Sequence, residues 1–287
     1  MPKLSPREIR RKIQGIKNTR RITKAMKVVS AAKLRRAQEL IFSSRPYSDY
    51  LYDMVRAVAF QEGALENPMF EVREVRRVDL VVISADRGLA GAFNSSVIKR
   101  AEEIVKEQNA LGREVSFVLV GRKAIQGLSK RKGKVIFKLE EVVKKDVDFE
   151  AVKQIGSFLK DRFLTESCDA VFILNNELQT RASFQPVLRQ FLPLKLLEGG
   201  QELKYEFEGD LEDFLNRLIE LYLNYQIYRA LLESSAAEHL ARMLAMDNAT
   251  RNADQLIKTW TLIFNKARQE SITSELIDIT NAVEAMK

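Results

Sequence analysis

Residues 210–287 read DLEDFLNRLIELYLNYQIYRALLESSAAEHLARMLAMDNATRNADQLIKTWTLIFNKARQESITSELIDITNAVEAMK. The last Gly of the chain is Gly209 and the last Pro is Pro193, so neither interrupts this stretch. Leu, Ala, Glu, Arg, Met and Gln, all strong helix formers, dominate it. One helix through the segment would reach about 110 Å at 1.5 Å per residue. Ordinary globular helices run to about 11–12 residues. A helix this long either pairs with another helix or projects from a body.

Its apolar pattern names the pairing face. Leu211, Phe214, Leu218, Leu221, Tyr225, Tyr228 and Leu232 alternate steps of three and four, which predicts a heptad seam. Leu232, Ala236, Leu240 and Met243 then step by four, four and three, a stutter that relaxes left-handed supercoiling. Met246, Thr250, Ala253, Ile257, Trp260, Phe264 and Ala267 resume the seam. Past Thr259 apolar residues fall on several sides: Leu262, Ile263, Ile272, Leu276, Ile277, Ile279 and Val283. A helix apolar all round is usually buried, so this tip needs a cover that its own partner helix is too short to supply.

The other end of the chain supplies the partner. Ser5-Pro6-Arg7-Glu8 reads as a capping box with Pro at the first helical position. Ile9, Ile13 and Ile16 follow at helical spacing, then Met26, Val29, Ala32 and Leu40. Pro46 is expected to kink this helix, which resumes through Leu51, Met54, Val55 and Val58. Between the helices the pattern changes. Val78–Ile83 is a near-continuous apolar run, as in a strand covered on both faces. Further strands are expected at 115–120, 135–139, 170–174, 185–194 and 204–207, with helices at 95–108, 123–129 and 149–164. Such alternation argues for a small α/β domain with a mainly parallel sheet. The expected division is 1–62 for the first helix, 75–208 for the α/β domain and 210–287 for the last helix, which pairs antiparallel with 1–62.

Composition narrows the function. The chain has 287 residues, 46% hydrophobic and 30% charged, as expected of a folded protein without a membrane span. Thirteen Lys and Arg lie between Lys3 and Arg36 against the single acid Glu8. That segment carries about +12 of a net +8, leaving about −4 elsewhere. With one Cys, Cys168, and one His, His239, the chain has neither a disulfide framework nor a Cys/His metal cluster nor a His-based triad. The loop Ser84-Ala85-Asp86-Arg87-Gly88-Leu89-Ala90-Gly91-Ala92-Phe93-Asn94 follows a strand and precedes a helix, where phosphate is often cradled. Its Gly spacing matches neither phosphate-loop pattern, so a structural turn is the first reading and a ligand site the second. The basic first helix fits either nucleic-acid phosphates or acidic protein surfaces. It has no aromatic residue between Lys3 and Arg36 for stacking on bases. On residue chemistry alone, a coiled-coil nucleic-acid binder and a nucleotide-dependent α/β enzyme therefore stay open beside an interaction protein.

Longer motifs are more specific. Ile16-Lys17-Asn18-Thr19-Arg20-Arg21-Ile22-Thr23-Lys24-Ala25-Met26-Lys27-Val28-Val29-Ser30-Ala31-Ala32-Lys33-Leu34 resembles the first helix of the gamma subunit of F-type ATP synthases. Ser84–Gly91 resembles that family's loop after its first strand. Glu238–Met246 and Asn265–Leu276 resemble its C-terminal helix. The resemblance runs in order through essentially the whole chain. It departs at the end, where Ala282-Val283-Glu284-Ala285-Met286-Lys287 is bulkier and more charged than the Gly and Ala ending common in the family.

The resemblance implies a long antiparallel coiled coil of the terminal helices and a central small Rossmann-like α/β domain with a mainly parallel sheet. It also implies a non-catalytic rotor subunit with no cofactor, present as one copy per complex. Its partners would be the alpha and beta subunits, the epsilon subunit and the membrane c-ring, with no nucleic acid. Its place would be the cytoplasmic face of a bacterial inner membrane. Carried over position by position, Arg268 and Gln269 are expected to contact a loop of the beta subunit. Met26, Lys24 and Lys27 are expected to face the acidic lever of beta, and Tyr205 and Glu208 the c-ring.

Overall fold

The structure is a computed structural model that describes residues 5–59, 67–131, 133–144, 146–180, 182–195 and 211–286. The expected strand at 204–207 lies outside the described residues. Two compact units form, Met1–Ser30 with Arg242–Lys287, and Ala31–Ala241. Two helices run through both units: α1, Pro6–Ala59, and α5, Leu211–Ala285.

α1 starts as its sequence dictates. Ser5 Oγ accepts from Glu8 N–H at 3.4 Å, and the Glu8 carboxylate accepts from Ser5 N–H at 2.8 Å. The bond from Ser5 N–H to the Glu8 carboxylate, and then the bond from the Ser5 hydroxyl to it, hold that carboxyl below its ordinary range. Pro46 lies inside the helix, which continues on both sides of it.

The larger unit is built on one five-stranded sheet in the order β3-β2-β1-β4-β5. The strands are β1 Arg77–Ile83, β2 Glu114–Val120, β3 Lys134–Leu139, β4 Ala170–Thr180 and β5 Ser183–Leu192. β1 pairs in parallel with β2 and β4, and β2 with β3, while β5 closes one edge antiparallel to β4. Helices α2 Phe93–Ala110, α3 Arg122–Leu128 and α4 Phe149–Leu164 complete the unit. A buried central strand sends alternate side chains to opposite cores. Val78, Leu80 and Val82 join Val97, Ala101 and Ile104 of α2 and Leu128 of α3. Val81 and Ile83 join Ile155 and Leu159 of α4, Leu51 and Val55 of α1, and Leu215 and Ile219 of α5.

Asp79 interrupts the apolar run of β1 and is 1% exposed. It is paired rather than stranded: Arg162 of α4 donates to it from Nε at 2.6 Å and from an η nitrogen at 3.1 Å. Removing one partner of such a buried pair leaves an uncompensated charge. α5 approaches α4 where α4 has no side chain. A Cβ added at Gly156 would lie 2.2 Å from Asn224 Oδ1.

The loop between β1 and α2 is a structural turn that also seats α5. Asn94 Oδ1 accepts from Ala85 N–H at 3.0 Å. Asp86 Oδ1 accepts from the backbone of Arg122 and Glu141, and Ser84 Oγ accepts from Ala124 N–H. Gly121 has φ 93°, and a Cβ there would meet Ser84 O at 2.2 Å, so only glycine fits. Ala85, Ala90 and Phe93 form a small core with Ala237 and Ala241. The small residues of α5 are the counterpart of this close loop.

Three expectations need correction. β4 runs on to Thr180 rather than ending at 174, because its second half buries polar groups that the sequence hides: Asn175, Asn176 and Glu177. The lower part of α5 has no single heptad stripe. Phe214 and Leu221 are exposed, while Leu215, Leu218, Ile219, Leu223, Ile227 and Leu231 are buried. Sheet, α4 and α1 all cover that part, so a wider arc is apolar than one partner helix would require. On α1, Val29 and Ala32 lie outside the buried stripe. That stripe instead steps through Ile9, Thr23, Ser30, Leu34, Ala37, Ser48, Leu51, Val55 and Val58.

Candidate interaction surface

In the smaller unit two helical segments pair through a seam that turns polar in its middle. Thr23 and Thr250 meet hydroxyl to hydroxyl at 2.8 Å, so one donates to the other while the second can donate to its own helix backbone, at Arg20 O or Met246 O. Lys27 Nζ donates to Asp247, and Arg20 Nε lies 2.7 Å from Asp254. Lys12 sits 4.1 Å from the centre of the Trp260 ring. The hydrogen bond from Lys27 holds the Asp247 carboxyl below its ordinary range, with Arg251 adding to the effect. Isolated exposed pairs of this kind add at most about 1 kcal/mol each, so their value lies in alignment.

The upper seam of α5 follows the expected heptad. Met246 and Ala253 are buried, and Thr250, Ile257, Trp260, Phe264 and Ala267 are half-buried. Partner numbers across the pair sum to 272–274. By that register Pro6 stands opposite about residue 267, and nothing of α1 is left for the rest of α5. The helix nevertheless continues to Ala285. Leu262 is 72% exposed, Leu276 59% and Ile279 60%, and Ile272, Ile277 and Val283 are also exposed. On α1 a second apolar cluster, Ile22, Val28 and Val29, faces away from the pair.

The expected contact residues fall into two groups. Arg268 and Gln269 are exposed on α5 just beyond the start of α1. Lys24 is exposed and Met26 half-buried on α1, while Lys27 is committed to Asp247. By the same register Met26 faces about residue 247, so the two groups stand roughly 30 Å apart at 1.5 Å per residue. Tyr205 and Glu208 lie outside the described residues. Sequence reading missed Ile22 and Val28 as exposed apolar neighbours of Lys24. Their spacing outside the true seam would have shown them once Thr23 and Ser30 were allowed seam positions.

The described residues hold no group of three or more His, Cys, Asp or Glu placed to bind a metal ion. Cys168 is buried, and burial first, with Asp79 second, pushes its thiol up to about 12. Thiolate is the nucleophilic form, so this Cys is an inert core residue. No described helix is long and apolar enough to cross a membrane.

Comparison with known proteins agrees with this geometry. The ATP synthase family model matches residues 5–286. The chain is 57% identical over 289 residues to the ATP synthase gamma chain of Aquifex aeolicus (strain VF5), covering 100% of this chain and 99% of that one. It is 52% identical over 293 residues to that of Hydrogenobaculum sp. (strain Y04AAS1), covering 100% of both. Among solved structures it is similar in fold to a chain of the Euglena gracilis mitochondrial ATP synthase OSCP/F1/c-ring assembly. That likeness has a TM-score of 0.68 at 19% identity and covers 98% of this chain and 94% of that one. A chain of the Tetrahymena thermophila mitochondrial ATP synthase central stalk and c-ring gives a TM-score of 0.62 at 24% identity, covering 79% of this chain and 99% of that one. With the family match spanning nearly every residue and the bacterial relatives aligned end to end, this chain belongs to the ATP synthase gamma chain family.

Proposed function

We propose that this chain is the rotating central-stalk subunit of a bacterial F-type ATP synthase. It couples proton-driven rotation of the membrane ring to conformational change at the catalytic sites of the alpha/beta hexamer, in synthesis or, in reverse, hydrolysis. The chain itself carries out no bond chemistry. Its partners are the alpha and beta subunits, epsilon and the c-ring. It sits peripherally at the cytoplasmic face of the inner membrane, one copy per complex.

The observation that carries this reading is the apolar end of α5 left uncovered beyond α1. A contiguous exposed apolar surface marks an interaction site. A ring of subunits around the tip would cover all its sides at once, which a second helix would not. Such a shaft drives change only by touching its partner states differently. Arg268 and Gln269 suit the grip on beta, since Arg offers several directed donors to acidic or carbonyl acceptors. Lys24 and Met26, joined by Ile22, Val28 and Val29, form the second contact, with Lys27 acting mainly inside the pair. Tyr205 and Glu208 are assigned to the c-ring on the family resemblance.

Affinity purification of the tagged full-length chain from membranes tests the assignment. Alpha, beta and epsilon subunits should copurify in fixed ratio with ATPase activity. Recovery of the chain with nucleic acid, or without those subunits, would overturn it.

A further inference from the structure

The second half of β4 meets α5 through a row of four charged side chains. Arg189 of β5 donates to Glu177 of β4 twice, at 2.7 and 2.6 Å. Arg229 of α5 donates from Nε to Glu233, one turn along the same helix, at 2.9 Å. The Glu233 carboxyl lies within hydrogen-bonding reach of the Glu177 carboxyl. Both carboxyl side chains are largely buried, at 10% and 14% exposure. Beside them Asn175 of β4 donates to the Ala230 carbonyl of α5. Arg229 from α5 and Arg189 from β5 are the opposite charges that bear on this pair of carboxyl groups.

Two buried carboxyl groups in contact do not both ionise readily. One proton between them converts repulsion into a short O–H···O⁻ bond, among the stronger hydrogen bonds in proteins. The two ends are unequal. Glu177 has its oxygens bound by a two-pronged Arg and is the natural ion. Glu233 has a single Nε bond and the like charge of Glu177 beside it, so it is the natural holder of the proton.

We propose that Glu177 and Glu233 share one proton, and that this proton clasps α5 to the sheet. Burial, then the Glu177 charge, raises the Glu233 carboxyl above its ordinary value, while the Arg189 bonds bring Glu177 below its own. The signs give a window. The Glu233 contribution is full below the ordinary carboxyl value and is lost as pH rises through its raised value. The Glu177 contribution is present above the ordinary value and is lost as pH falls through its lowered one. The clasp is therefore firmest when the pair holds one proton, and it loosens as the surroundings turn alkaline.

Hydrogen-exchange mass spectrometry of the full-length chain between about pH 5 and pH 8, corrected for intrinsic exchange, tests this. Protection of the peptide spanning 229–237 should fall by up to about tenfold per pH unit between the ordinary carboxyl value and the raised one, and level off above it. Glu233→Gln keeps the shape and a donor but cannot titrate, so its profile should be flat. A wild-type profile that is already flat, or a Glu233→Gln profile that falls like wild type, overturns the proposal. Should Glu233→Gln fail to fold, carboxyl carbon NMR of the unaltered chain with labelled Glu decides the matter. One Glu should titrate above the ordinary range, and none doing so sinks the idea.

Discussion

α5 is one unbroken helix with two ways of being held. From Leu215 to Ala241 it is buried on most of its circumference, against sheet, α4, α1 and the loop after β1. From Arg242 to Thr250 it is mostly half-buried, from there only about one residue in three is covered even in part, and beyond about residue 267 almost none is. The lower part is therefore stabilised by its own chain, and the upper part leaves its apolar surface open, as the proposed partners would require. Apolar residues are frequent in both. Which residues are buried differs because the number of covering elements differs.

The difference predicts unequal responses to the same kind of substitution. Leu231→Ala, deep in the lower part, should cost about 2–5 kcal/mol in denaturant unfolding of the full chain. Ile277→Ala at the tip should cost less than about 0.5 kcal/mol in the same experiment. Equal losses would break the comparison. Gly156→Ala should cost about 1–3 kcal/mol, because the new methyl must displace Asn224 from a crowded helix contact. Thermal unfolding would register it as a lowered Tm.

In the polar middle of the pair, Thr250→Val should cost about 1 kcal/mol through loss of the Thr23 bond. The double change Thr23→Val with Thr250→Val should cost less than the two single changes together, a coupling that a double-mutant cycle reads directly. Acid should loosen the same region. The depressed Asp247 carboxyl contributes stability above its ordinary value of 3.8, and that contribution is lost as pH falls through the lower folded value. Asp247→Asn should remove this part of the acid response, as followed by circular dichroism. The smallest effect on the fold belongs to Arg268→Ala with Gln269→Ala, within about 0.5 kcal/mol. The same pair should impair ATP synthesis or assembly in membranes, and normal synthesis would remove these two residues from the contact.

Much of the fold was legible because its signals are strong and local. The Gly- and Pro-free terminal stretch, the capping box at Ser5–Glu8 and the apolar run of β1 each stand out without tertiary context. The true α1 seam was hidden because hydrophobicity was the search key. Thr23, Lys27, Ser30 and Ser48 occupy its positions, while the more apolar Val28 and Val29 face outward. The extension of β4 was hidden for the same reason, since Asn175, Asn176 and Glu177 read as polar in sequence, yet they are buried where α5, α2 and β5 take up the Asn175 and Asn176 amide nitrogens and the Glu177 carboxylate. Of the expected contact residues, Arg268, Gln269, Lys24 and Met26 lie on accessible or half-covered helix surface. Lys27 shows that a basic residue expected to face a partner can be claimed by its own chain.

The polar pairs of the seam also act as a ruler. Leucine-only seams tolerate sliding by a whole heptad, about 10 Å. Here a slip of seven residues separates Thr23 from Thr250 and leaves at least one of Arg20 and Lys27 without its aspartate. In the shaft proposed above, two helices that have to turn together without creeping past one another would thus carry their alignment marks in the places where a stickier seam would have carried leucine.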